Sequence, residues 1–144
     1  MVAYADASFI VALYLQQSSS AAARAAMLSL SPPLPFTHLH ALEVRNAIRR
    51  AVFRGEITVA ERDAVLQTMA SDLQNGVLAQ VAVRWADVWH EADRLSAGHT
   101  ETMGCRSLDI LHVAIARTLN APEFLSFDAN QRQLAAAEGL TVKP

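Results

Sequence analysis

Five short apolar runs, at 2–5, 34–37, 80–83, 123–127 and 139–142, are each parted from the next by a segment whose apolar residues recur at helical spacing. Strands joined only through helices need crossover connections, and crossovers build parallel sheets with helices on both faces. The pattern predicts an α/β fold with a mostly parallel central sheet. The run at 2–5 is too uniformly apolar to alternate and reads as a strand covered on both sides. It ends at Asp6. In open α/β sheets the ligand crevice lies beyond the carboxyl ends of the strands, so Asp6 is placed at that rim.

Caps and breakers set the helix boundaries. Ser8 is expected to cap a helix over 9–15, and Ser18-Ser19-Ser20 to open one over 21–28 that ends before Pro32-Pro33. A long helix is predicted over 38–53, with Leu39, Leu42, Ala47 and Ile48 as its apolar stripe and Gly55 as its stop. Thr58 to Glu61 reads as a capping box starting a helix that Asn75-Gly76 breaks. Further helices are predicted over 85–95, over 108–119 behind Ser107, and over 130–137, with 98–104 as a loop. Pro35 confines the second strand to an edge or a strand end.

At 144 residues, with no repeat or linker, the chain is expected to be a single domain over 1–144. An apolar content of 52% excludes general disorder. No run approaches the ~20 apolar residues of a membrane span, and no signal peptide is visible. The single Cys105 excludes an internal disulfide and argues against structural zinc, so a cytoplasmic location is expected.

Strand carboxyl ends and the following helix amino ends share one edge of such a sheet. Asp6 and Asp128 each follow an apolar strand, Glu43 lies early in the helix after the second strand, and Asp109 lies in the first turn behind Ser107. Taken singly, each acid has an ordinary explanation: helix-dipole complementarity for Asp109, a solvated helix face for Glu43, turn chemistry for the other two. Taken together they form a like-charged set that needs a positive partner. Glu43 and Asp109 are also flanked by apolar residues, where an ionised group is costly unless paired. A hard divalent cation takes oxygen ligands and can activate water toward a phosphate, so Mg²⁺ or Mn²⁺ is the expected cofactor. Without these four acids the formal charge moves from −2 to +2, and eleven of the twelve basic residues are Arg. A mildly basic body around an acidic pit fits a nucleic-acid substrate held by its backbone.

The ordered segments Asp6-Ala7-Ser8, Leu42-Glu43-Val44-Arg45-Asn46-Ala47, Arg106-Ser107-Leu108-Asp109-Ile110-Leu111-His112 and Ser126-Phe127-Asp128-Ala129-Asn130-Gln131 resemble PIN-domain ribonucleases of the VapC toxin type. The resemblance spans nearly the whole chain. It implies a three-layer α/β/α sandwich, a Mg²⁺- or Mn²⁺-dependent endoribonuclease, a cognate VapB-type antitoxin whose tail blocks the cleft, and a homodimer. Asp6, Glu43, Asp109 and Asp128 are then the metal-binding and catalytic set, with Ser8 and Ser126 aiming the carboxylates. Ser126 stands where many members carry Thr, and the hydroxyl is kept. Two other functions compete. One is a PIN-like module that binds RNA or protein without turnover. The other is a phosphatase or phosphotransferase using Asp6 as nucleophile, though Ser8 occupies the place of the second Asp such sites use.

Arg45, Arg49 and Arg50 share a helix with Glu43 and read either as an RNA or antitoxin contact or as a solvated face. His112 is expected to be a buried, hydrogen-bonded core residue rather than a proton shuttle. His38 and His40 are expected at the surface or in a cap. Trp85 and Trp89 are expected in the core or a dimer interface.

Overall fold

The computed structural model describes residues 3–144, so the expected start of the first strand at Val2 lies outside the described residues. In chain order the elements are β1 (Ala3–Ala5), α1 (Ala7–Tyr14), α2 (Ser20–Ser29), β2 (Leu34–Phe36), α3 (His38–Phe53), α4 (Val59–Gln74) and β3 (Leu78–Gln80). There follow α5 (Trp85–Leu95), a π-helical turn (Ser96–Thr100), α6 (Glu101–Met103), α7 (Ser107–Thr118), β4 (Glu123–Leu125), α8 (Ala129–Ala137) and β5 (Thr141–Lys143). Every recorded strand pair is parallel, as the crossover argument requires. The chain forms two compact units, residues 3–6 with Ala82–Pro144, and Ala7–Val81.

The first unit is built on the sheet β1-β4-β5. Ala3, Tyr4 and Ala5 pair with Glu123, Phe124 and Leu125, which in turn pair with Thr141, Val142 and Lys143. β4 is thus the middle strand, and Phe124 and Leu125 are fully buried. Tyr4 stacks on Phe124 with ring centroids 6.0 Å apart. α7 packs on α5 and α8, and α8 packs on β5. An ionic cluster ties these helices. Arg94 and Arg117 both reach Glu91, at 2.7 and 2.5 Å. Glu138 accepts from Arg94 and, at 2.6 Å, lies against His99 of the π-helical turn.

The hydrogen bond from Arg94 pulls the Glu91 carboxyl down to about 2; burial opposes it and Arg117 adds to it. Burial pushes the Glu138 carboxyl up, but the bonds from Arg94 and His99 outweigh it and hold it low. A depressed carboxyl contributes stability that is present above its ordinary value of 4.5 and is lost as pH falls through the folded value. Thermal melts between pH 6 and pH 2 should therefore show a smaller fall for Glu91→Gln than for wild type. Parallel curves would remove Glu91 from the account.

The second unit pairs β2 with β3, Leu34 opposite Leu78 and Phe36 opposite Gln80. Pro35 has a place because neither ladder bond beside it uses its missing donor: Leu34 donates to Val77 and Val81 donates to Phe36. The strand is therefore 78–80 rather than 80–83: Leu78 is fully buried opposite Leu34, whereas Ala82 is exposed. α3 has the predicted bounds. Its expected apolar stripe holds at Ile48 but not throughout: His40, Val44 and Ala51 face inward with Ile48, Leu39 and Ala47 are half-buried, and Leu42 is 68% exposed. The stripe is set by the cap, where the Thr37 backbone N–H donates to His40 Nδ1 at 2.9 Å and fixes a histidine inside. His40 is thus a buried cap residue, while His38 is exposed.

Three serines differ from their expected capping roles. Ser8 is the second residue of α1 and Ser107 the first of α7, both inside their helices, whereas a cap residue lies just outside with extended backbone. Ser20 begins α2 and instead pins the preceding turn, donating to the Leu15 carbonyl at 3.0 Å. The expected loop over 98–104 is mostly helical and ends at Gly104, whose φ of +67° suits a residue without Cβ. Among the described residues no helix is long and apolar enough to cross a membrane.

Candidate metal centre

Asp6 is delivered by the end of β1, and its backbone N–H continues the ladder to the Leu125 carbonyl at 2.9 Å. That bond sets Asp6 beside Ser126, the first residue past β4. The Ser126 hydroxyl donates to Asp6 Oδ2 at 2.8 Å, and both residues are fully buried. The same Ser126 oxygen accepts from the Asp128 backbone N–H at 3.0 Å. Asp128 caps α8, its Oδ1 accepting from the Gln131 N–H at 3.0 Å. Its turn chemistry is real, but it uses only one carboxylate oxygen.

The other oxygen, Oδ2, accepts from Arg106 Nη2 at 3.2 Å. Arg106 occupies the N-cap position of α7, with φ −88° and ψ 157°. Its Nε and Nη2 reach the two oxygens of Asp109 at 3.1 and 3.4 Å, and its backbone N–H donates to Asp109 Oδ2 at 3.4 Å. Asp109 is 3% exposed. Hydrogen bonding to Asp109, with the charge of Asp128 adding, holds the Arg106 guanidinium above its ordinary range. One chain of hydrogen bonds thus runs Asp6, Ser126, Asp128, Arg106, Asp109.

The structure brings three of the four expected acids into this network. Glu43 lies in the second turn of α3, half-buried, in the other compact unit. Arg45, Arg49 and Arg50 are exposed on the same helix. His112 is fully buried, its Nδ1 sharing a 2.8 Å hydrogen bond with the Tyr4 hydroxyl. Trp85 and Trp89 lie 5.8 Å apart by ring centroid, but Trp89 is 57% exposed, so the core reading fails for it.

The donors fit a hard divalent ion in kind, being carboxylate oxygens gathered around a positive charge. Nearby, Gln131 Oε1 is buried with no hydrogen-bond partner, an acceptor on the turn that Asp128 caps. In spacing, no group of three or more His, Cys, Asp or Glu side chains among the described residues stands ready to hold a metal ion. The guanidinium of Arg106 spans two of the acids. Arg106 is the site residue that sequence reasoning missed. Its signal was a basic residue three before Asp109, a spacing at which helix side chains meet.

Parallel strands with carboxylates at their carboxyl ends define an α/β fold with a rim site. Residues 3–137 match the family model described as PIN domain, and the chain belongs to that family. A comparison with curated proteins returned no match. Among solved structures the chain is similar to Mycobacterium tuberculosis VapC20, a sarcin-ricin loop cleaving toxin, at 19% identity and TM-score 0.70, covering 99% of both chains. It is also similar to FitAcB from Neisseria gonorrhoeae, at 12% identity and TM-score 0.66, covering 99% of this chain and 97% of that one. VapBC2 from Rickettsia felis, bound to a DNA fragment from its promoter, gives 12% identity and TM-score 0.66, with 99% and 98% covered.

Proposed function

We propose that this chain is a divalent-metal-dependent endoribonuclease of the VapC type, the toxin of a toxin–antitoxin pair acting in the cytoplasm. The observation that carries the reading is the hydrogen-bonded chain ordering Asp6, Asp128 and Asp109 at strand and helix ends. The family match over 3–137 supports a single domain, and the likeness to VapC20, FitAcB and VapBC2 supports the toxin class.

Asp6, Asp109 and Asp128 would hold Mg²⁺ or Mn²⁺, with Glu43 as the fourth carboxylate. The ion supplies Lewis acidity at a phosphodiester and makes hydroxide accessible near neutral pH. Ser126 orients Asp6 by direct donation and fixes Asp128 through its backbone, so two acids share one brace. Ser8, one residue into α1 from its start, has the proposed role of a further hydroxyl donor to a carboxylate. A carboxylate of the set takes the proton from the attacking water. Arg45, Arg49 and Arg50 are proposed contacts for the RNA backbone or for a VapB-type antitoxin, and the assembly is proposed to be a homodimer.

The test is cleavage of total cellular RNA by antitoxin-free protein with Mg²⁺, Mn²⁺ or EDTA, beside Asp109→Asn. Discrete fragments are expected only with metal and only from wild type. Equal cleavage in EDTA, or by the variant, would sink the reading. A second reading is a PIN-like binding module without turnover, favoured by Arg106 spanning two of the acids. Folded, metal-loaded protein that binds RNA and never cuts it would establish that one.

A further inference from the structure

The reaction proposed above has no step for Arg106, yet this residue contacts two of the acids assigned to the site. A surface arginine neutralising one helix acid would need Asp109 alone. Here the fork takes both oxygens of Asp109, and its Nη2 also reaches Asp128, 22 residues away. The guanidinium is planar and multidentate, so it can span two carboxylates as an ammonium cannot. Its two partners are buried far more deeply than it is: side-chain exposure is 66% for Arg106, 27% for Asp128 and 4% for Asp109.

We propose that Arg106 is a built-in counter-cation, which holds Asp109 and Asp128 together and must leave their oxygens before a divalent ion can take them. The proposal rests on reading those two acids as metal ligands. Three features make the exchange workable. Arg106 is mostly in solvent, so it leaves without unburying anything. On its arginine side the pair is open to water and screened, so a divalent cation, with twice the charge, competes for the same oxygens. Finally, the Arg106 backbone N–H donates to Asp109 Oδ2 independently of the side chain, so Asp109 stays braced when the guanidinium swings away. Arg106 is thus a positioning residue: it keeps two like charges from repelling each other apart, at the expense of some metal affinity.

The test is titration of antitoxin-free protein with MnCl₂ alone by calorimetry, together with thermal melts with and without Mn²⁺. Wild type, Arg106→Gln and Asp109→Asn are compared after circular dichroism confirms that each is folded. Arg106→Gln should bind Mn²⁺ about three- to fivefold more tightly than wild type, the scale of removing a competing arginine that is itself mostly in solvent from its two carboxylates. It should melt slightly lower without metal and gain more than wild type when metal is added. Asp109→Asn should lose binding. A purely structural ion pair would lower the melting temperature and leave the Mn²⁺ affinity unchanged, and that result overturns the proposal. Weaker binding in Arg106→Gln overturns it too, since Arg106 would then be building the site rather than competing for it. If Asp109→Asn binds like wild type, or wild type binds nothing, the metal reading fails and the proposal with it. If only the Arg106→Gln prediction fails, the metal reading stands.

Discussion

Asp6→Asn should silence the proposed metal-dependent RNA cleavage by at least about a hundredfold, because a metal's charge stabilisation of a reacting phosphate amounts to several kcal/mol and each 1.36 kcal/mol is tenfold in rate. The same variant should melt at or above the wild-type temperature. Asp6 is fully buried, and an ionised carboxylate in such a place is costly. The asparagine carbonyl can still accept the Ser126 hydroxyl, so the join between the ends of β1 and β4 survives. Loss of activity with no loss of stability separates a site residue from a core residue, since a core substitution lowers both. Assays with Mg²⁺ and Mn²⁺ alongside a melt check both halves. Cleavage within a few-fold of wild type would remove Asp6 from the mechanism.

Phe124→Ala carries the largest expected loss of stability, about 3–5 kcal/mol, the range for deleting a buried aromatic ring and leaving a cavity. Phe124 is fully buried in the middle strand of its sheet, with Tyr4 stacked on one side. Relaxation into the void is resisted because β4 is held by β1 and β5 at once. For a domain of this size each kcal/mol moves the melting temperature about 2–4 °C, giving a fall of roughly 6–20 °C. Phe124→Leu should cost much less. A fall below about 3 °C for the alanine variant would mean that the site collapses around the gap.

The fold class and most helices were legible because their signals are local. α3 and α5 have the predicted bounds; for α3, Phe36-Thr37 and Gly55 mark where the backbone turns into and out of the helix. Strand ends were less legible, since a strand's length is set by its partner. Val81–Val83 has strand composition, yet the ladder begins at Leu78, where Leu34 lies opposite. Leu42 looked like core and is exposed, because a capping histidine decides which face of α3 turns inward. In the site, Asp6 was legible as an acid ending a strand; Asp128, expected to end a strand over 123–127, instead lies three residues past β4 and caps α8. Their bond through Ser126 follows from the β1–β4 register, which no local pattern carries. Arg106 was hidden by its position: as an N-cap its backbone reads as a boundary, and nothing in the spacing shows that its side chain extends to Asp128.

The 120 residues separating Ser126 from Asp6 also set a clock on the ribosome. Ala3–Ala5 leaves the exit tunnel well before its strand partner, Glu123–Leu125. At about 5–20 residues per second, synthesis needs roughly 6–24 s to produce that partner. Until then the nascent chain holds Asp6 without the strand and the Ser126 hydroxyl that it bonds to in the folded protein. A truncated product that stops before α7 has none of the assembled acid network. The acid network is therefore a late product of translation, assembled only after α7, β4 and the start of α8 have been made.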